Sequence, residues 1–439
     1  MADCNTCSQY MSVEDILRRS IKCDANGNVA MQGGLLNLSW YGIERDNTQA
    51  SPDWTRIASS PADMALHASL PVHALFKPCV MKADKTVNYY LNPTDLSKKA
   101  DGTASNLTGA DGNVMSHQSA SYWIFYEKVG TVERMAVSVN RQTGAGWSEV
   151  TPQFYSCYEG KVVTGKLSSI VGMPTTSTSE INFRIAARAN GAGFEQQWMM
   201  PYRQLVNLFQ IQFATNNFQK PVNLTPTVQG YSQGGLGNGI TTAVSAEWSA
   251  FNGYNPFIAG GSCNSLAKHW GEASVVVPNF GGAGVNRTFT PNRFLFVENI
   301  FGHIWKWIDG VTINHLADRR EAYVFDNPAQ FVDGSSVNGR LAGLLPSGNG
   351  YMATSLFPEI LPATTGDAGK YGDYLYQPAL GSGWRALVSG GDAAGGGGAG
   401  RWQPVARRHR RERRHGPGNG GLYGHVGHHD ELAGNDGRA

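Results

Sequence analysis

At 439 residues the chain has room for roughly two to three domains of ordinary size, and enough apolar core to fold without disulfide or metal staples. Charged residues are only 16%, against a usual ~25%, while 54 glycines with 18 Phe, 17 Tyr and 11 Trp suit a loop-rich, strand-rich protein. The net charge of +2 is uneven: from Arg401 onward eight arginines stand against four acidic residues, which leaves the body near −2 and excludes a nucleic-acid surface there.

Six cysteines, at 4, 7, 23, 79, 157 and 263, are too sparse and uneven for a disulfide framework and are expected to be reduced. Met1 to Tyr10 has no basic stretch followed by an apolar core, and no run approaches the ~18 apolar residues of a membrane span. The expected product is therefore soluble, made in a cytoplasm and not inserted in a membrane.

Residues 1–32 read as an N-terminal segment with a short helix. Ser12-Val13-Glu14-Asp15 is a capping box opening a helix to about Arg19, because a serine oxygen satisfies an orphan amide and acidic residues complement the helix dipole. Cys4 and Cys7 have the spacing of half a zinc site, but Cys23 supplies at most one further ligand nearby, so two unligated thiols are expected. Asp24, Asn26 and Asn28 resemble half a calcium loop, yet its twelfth position is Leu35, where a bidentate glutamate is required. No metal and no cofactor are expected.

Residues 33–165 read as a β-rich domain. Tyr122, Ile124 and Tyr126 alternate with Trp123 and Phe125, and Met135, Val137 and Val139 alternate with Ala136 and Ser138, the period of half-buried strands. Asp101-Gly102, Asp111-Gly112 and Thr143-Gly144-Ala145-Gly146 mark tight turns. Pro174 to Ser179 is a boundary or long surface loop. Beyond it Tyr202, Leu205, Val206, Phe209 and Phe213 give the one helical periodicity, with Pro201 at its first position. Glycine-rich loops follow at 234–239 and 282–284; neither carries the residues of a phosphate-binding loop. Strands are expected at Val275 to Val277 and Phe294 to Val297. From His303 to Ile313 the pattern predicts a hairpin, with Trp305 and Trp307 on one face, Ile304 and Ile308 on the other, and Asp309-Gly310 as its turn. His303 and Asp309 are read as structural groups, not as a base and its orienter.

Several segments carry a resemblance. In Phe301-Gly302-His303-Ile304-Trp305-Lys306-Trp307, the residues Gly302, Trp305 and Trp307, with Ile304 for valine, resemble the Gly-Asn-Val-Trp-Glu-Trp hallmark of the formylglycine-generating-enzyme-like branch of the C-type lectin fold. Tyr89 to Pro93, Asp101 through Met115, Leu205 to Gln219 and Trp384 to Gly400 resemble segments of phage tail receptor-binding proteins carrying that domain, targets of diversity-generating retroelements. The fold class implied is α+β and β-rich: an N-terminal β-rich domain, then a C-type-lectin-like domain over residues 166–400 with few helices and long loops.

The resemblance further implies that Trp384, Arg385, Ala386, Leu387, Gly390, Gly391, Ala399 and Gly400 form the scaffold of a displayed surface, while Ser389, Asp392 and Gly396 face the ligand. It implies no enzyme activity: the oxidase branch needs a pair of cysteines, and Cys263 is the only one after Cys157. The calcium-dependent sugar motifs are missing too, Asp326-Asn327-Pro328 being the nearest approach and read as a turn. The implied function is a phage or prophage tail adhesin in the virion, with a bacterial cell-surface receptor (protein or glycan) and other tail proteins as partners. A homotrimer is compatible, without a long heptad seam to enforce it. A polysaccharide-degrading tailspike and a purely structural tail or baseplate protein are the competing classes. Residues 401–439 depart from the family pattern, and two readings stand: a disordered basic tail, or out-of-frame translation of a GC-rich gene.

Overall fold

The computed structural model describes residues 39–175, 178–222, 258–277, 286–346, 350–356, 358–359, 361–366 and 383–390, with the backbone of short strands at 21–23, 29–31, 227–228, 231–232, 374–375 and 407–408. Cys4, Cys7, the capping box at 12–19, the Asp24 to Asn28 segment, the glycine loops at 234–239 and 282–284, and Gly391, Asp392, Gly396, Ala399 and Gly400 lie outside the described residues, as does nearly all of 401–439. Within the described residues the protein is β-rich, built of antiparallel sheets with few helices.

The N-terminal half contributes β1 (Tyr41–Asp46), β2 (Thr55–Ala58), β3 (Phe76–Met81), β4 (Val87–Asn92), β5 (Asp95–Lys99), β6 (Asn113–Gln118), β7 (Tyr122–Val129), β8 (Val132–Ser138), β9 (Trp147–Val150) and β10 (Gln153–Ser156). They form two five-stranded sheets, ordered β9-β7-β8-β1-β2 and β10-β6-β3-β4-β5. The period-2 pattern places Tyr122, Ile124, Met135, Val137, Tyr41 and Ile43 on the inner face of the first sheet, all buried. The expected turns hold local hydrogen bonds: Thr103 N donates to Asp101 Oδ1 at 2.9 Å, as short polar side chains do in such turns.

Two longer helices follow, α1 (Glu180–Arg188) and α2 (Met199–Phe213). Sequence periodicity predicted α2 alone. Residue α1 begins at is signalled by Ser179, whose side chain accepts from Asn182 N at 3.2 Å as an N-cap, with Glu180 in the first turn. Apolar spacing hides this helix because its faces are inverted: Ile181 and Ile185 are exposed, whereas Glu180 and Arg184 are buried.

α2 sits at the centre of the molecule, buried almost all round. Tyr202, Leu205, Val206 and Phe209 belong to one hydrophobic core that takes in Tyr41, Tyr122 and Met135 of the first sheet and continues into the C-terminal strands at Ile308, Ile313 and Leu387. The core thus runs across residue 165. Several of its buried polar groups are paired: Gln204 Oε1 accepts from Gln153 Nε2 at 2.6 Å and from Tyr155 OH at 3.0 Å, and Gln210 Nε2 donates to Asn216 Oδ1 at 2.8 Å. Phe209 packs on Phe294 and Phe301 with ring centroids 5.1 and 4.7 Å away, joining the helix to the segment that leads into the tryptophan strand.

The C-terminal part contains β11 (Trp270–Glu272), β12 (Asn292–Phe294), β13 (Val297–Glu298), β14 (Lys306–His315), β15 (Arg320–Val324), β16 (Arg340–Leu345), β17 (Gly350–Leu356), β18 (Leu361–Gly366), β19 (Gly383–Ser389) and β20 (Arg407–Arg408). β11, β12 and β13 form one small sheet, and β17 pairs with β18. The third large sheet has the order β16-β15-β14-β19-β20.

The expected hairpin at 303–313 is not what forms. Lys306 to His315 is one continuous strand, and Asp309-Gly310 is a bulge within it: against β19 the register jumps from Ile308 opposite Leu387 to Thr312 opposite Ala386. Gly310 supplies the positive φ of +71° that a turn would also need, which is why the dipeptide reads as one. The extra residues are taken up elsewhere, since Asp309 N donates to Gln197 O at 3.0 Å and Phe325 N to Gly310 O at 2.9 Å.

Candidate functional site

β14 and β19 are neighbours: Lys306, Trp307 and Ile308 lie opposite Ser389, Val388 and Leu387. Trp307 of the tryptophan motif and Trp384 to Ser389 of the late segment therefore share one sheet, while Gly302, Ile304 and Trp305 precede the strand. At the end of this pair the chain leaves the sheet over a corner built from buried polar groups.

The corner starts from His303, which is in left-handed backbone at φ +65°. Ile258 N donates to His303 Nε2 at 2.8 Å, so that nitrogen is the acceptor and the ring proton sits on Nδ1, 2.7 Å from Glu159 Oε2. Lys306 Nζ lies 3.3 Å from Glu159 Oε1 and donates to the carbonyl oxygens of Gly302 at 2.8 Å and Ile304 at 3.0 Å. Burial pushes Lys306 below the ordinary lysine value, with Glu159 opposing it. Burial would raise Glu159, but His303 and Lys306 outweigh it and hold the carboxyl below its usual range.

A second buried carboxylate ties in the next loop. Glu298 Oε2 accepts from Gly261 N at 2.8 Å and Oε1 from Cys263 N at 2.7 Å, while burial pushes this group up to about 7. Gly390 then crosses the corner at φ +105°; a Cβ there would stand 2.1 Å from Ile304 O and 3.0 Å from Gly302 O. Only glycine fits that crossing.

The bulge on β14 is held by charge. Asp309 takes a two-pronged ion pair from Arg184, Nε to Oδ2 and Nη2 to Oδ1 both at 2.6 Å, plus Gln196 Nε2 at 2.7 Å and Gly310 N at 2.7 Å. Arg184 also bonds Asp333 through Nη1 and Nη2, each at 2.8 Å. Glu180, near the same guanidinium, is pushed well above the carboxylate range by burial and then by Asp309 and Asp333. None of these groups was singled out in this role by sequence, because nothing in a linear pattern shows that Arg184 of a helix meets Asp309 of a strand.

The other expected site residues fall as follows. Trp305 and Trp307 are half-buried, and Trp307 Nε1 donates to Thr178 O at 3.0 Å. Gly302 is buried in the corner. Trp384 is half-buried, packed near Tyr323 with ring centroids 6.1 Å apart, and Arg385, Ala386 and Leu387 are buried. Ser389, expected to face a ligand, is instead fully buried. It lies opposite Lys306 as the last residue of the strand.

Chemically the corner is a lock. His303 and Glu159 have the pairing of a base and its partner, but their side chains are only 4% and 6% exposed and both ring nitrogens are engaged, so no substrate proton is within reach. Among the described residues no group of three or more His, Cys, Asp or Glu side chains is placed to hold a metal ion. What the geometry provides is a buried platform under Gly390, set by side chains of Glu159, Glu298, His303 and Lys306 and by the backbone N–H of Ile258. Compared with known proteins, the chain matches no family model, and no curated protein is significantly similar to it.

Proposed function

We propose that this protein is a phage or prophage tail adhesin, carried in the virion, that binds a bacterial cell-surface receptor through a C-type-lectin-like domain over residues 166–400 of the kind retroelements diversify. The observation that supports this reading is the pairing of β14 with β19 and the locked corner under Gly390. Trp307 of the tryptophan motif and Trp384 to Ser389 of the late segment lie on adjacent strands, with Gly390 fitted against the backbone of Gly302 and Ile304. A recognition loop needs such a base, since ordering a loop on binding costs affinity and a rigid support removes part of that cost. Many copies on one particle would then multiply weak contacts. In this reading Asp392 and Gly396 remain ligand-facing and Ser389 does not; Arg385, Ala386, Leu387 and Gly390 hold the base.

The test is competition. Purified full-length protein should block adsorption of the particle to its host, and the double substitution Asp392→Lys, Gly396→Lys should abolish that block while leaving thermal unfolding unchanged. Unaltered blocking by a folded double variant would sink the reading.

A further inference from the structure

The outer face of the first sheet carries a groove that shares no lining residue with the corner. Two cross-strand rows build it. In the first, Trp147 of β9 lies opposite Phe125 of β7, Phe125 opposite Ala136 of β8, Ala136 opposite Gly42 of β1, and Gly42 opposite Ile57 of β2. Bulky side chains thus flank two of the smallest residues, and with Trp40 they enclose a cavity of about 400 Å³. That size falls in the range of small-molecule sites, ~300–1,000 Å³. The floor must stay bare, because a Cβ at Gly42 would stand 2.1 Å from the Met135 carbonyl oxygen.

Two residues further along each strand runs a charged row, in which Glu127 lies opposite Arg134 and Arg134 opposite Glu44. Arg134 Nη1 donates to Glu127 Oε2 at 3.0 Å, and Nε to Glu44 Oε2. These bonds engage one oxygen of each carboxylate and leave Oε1 as a further acceptor. Side chains of Arg134 and Glu127 are 44% and 39% exposed, so the row is open to solvent beside the aromatic trough.

We infer that this groove binds a neutral sugar ring. A pyranose has an apolar C–H face and a rim of hydroxyls that both donate and accept. The faces of Trp147 and Phe125, 5.3 Å apart at a tilt of 39°, suit the first, and the Glu127-Arg134-Glu44 row suits the second. A wholly apolar ligand would desolvate the charged row without compensation. An anionic one would meet two carboxylates for one guanidinium. All of these groups stand on strands, so the site is pre-ordered. It does not depend on the adhesin reading.

The experiment is saturation-transfer NMR on the full chain with millimolar D-glucose, D-galactose, D-mannose, N-acetyl-D-glucosamine and, as the anionic probe, D-glucuronate. At least one neutral sugar should bind. Trp147→Ala and the double substitution Glu44→Gln, Glu127→Gln should each weaken it about tenfold with an unchanged far-UV spectrum. Should Trp147→Ala fail to fold, the isosteric double variant decides. The site is refuted if no neutral sugar binds, if only glucuronate does, or if binding survives in every folded variant of the two. The Asp392→Lys, Gly396→Lys variant must bind the sugar as the parent does, which separates failure here from failure of the adhesin reading.

Discussion

Replacing Arg184 with methionine should be among the most damaging single changes in the protein. The arginine side chain is 9% exposed and Asp309, its main partner, 2%. Methionine keeps much of the volume but leaves Asp309 buried with only Gln196 Nε2 and Gly310 N as donors. An uncompensated buried carboxylate costs about 3–5 kcal/mol. The second partner, Asp333, is 21% exposed, and solvent screening reduces its share to well under ~1 kcal/mol. Removing the charge as well, in Arg184→Met with Asp309→Asn, should recover at least half of the loss, because the only carboxylate then left without Arg184 is the partly exposed Asp333. Equilibrium urea unfolding followed by tryptophan fluorescence measures both, with an unchanged slope required for the comparison. A single-variant cost below about 1 kcal/mol, or a double variant no better than the single, would show that the ion pair does not hold the β14 bulge.

Gly390→Ala should cost about 2 kcal/mol or more, from positive φ and the approach to Ile304 O, read as a lower urea midpoint; a neutral result would remove the corner's crossing point from the account. Glu298→Gln keeps one of two amide acceptors and should start about 1–3 kcal/mol less stable than the parent. Because burial raises the folded Glu298 from 4.5 to about 7, its titration stabilises the native state fully below pH 4.5 and is lost as pH rises through about 7. The parent's advantage over Glu298→Gln should therefore shrink across that window. His73 and His269, lowered by burial to about 3 and 4, slope the other way but cancel in the difference, and a difference independent of pH would contradict the burial argument. Cys79, Cys157 and Cys263 are buried with thiols pushed up by burial, Cys79 to about 12, so iodoacetamide at pH 8 should label them only in denaturant; native labelling seen by peptide mass spectrometry would contradict their burial.

The sequence by itself determined the elements whose cause is local. Alternation at 122–126 and 135–139 became β7 and β8, and apolar spacing at 202–213 became α2, because periods of 2 and 3.6 sort side chains to one face whatever packs against it. Turn chemistry was legible for the same reason at Asp101-Gly102. At Asp309-Gly310 that logic misled: a glycine at positive φ serves a bulge as well as a turn, and only the partner strand distinguishes them.

What the tertiary structure alone decided is every feature that depends on which remote residues meet. Helix α1 turns its charged side inward because Asp309, 125 residues away, needs a cation there. Ser389 is buried because Lys306 and its strand lie beside it, and Glu159 becomes part of the corner because His303 and Lys306 reach it from 144 and 147 positions on. The groove of Trp147, Phe125 and Ile57 exists only once five strands fix their register. Periodicity reports the free energy of a residue facing in or out; charge pairing and groove shape are set by distances between chain segments, which a linear pattern does not contain.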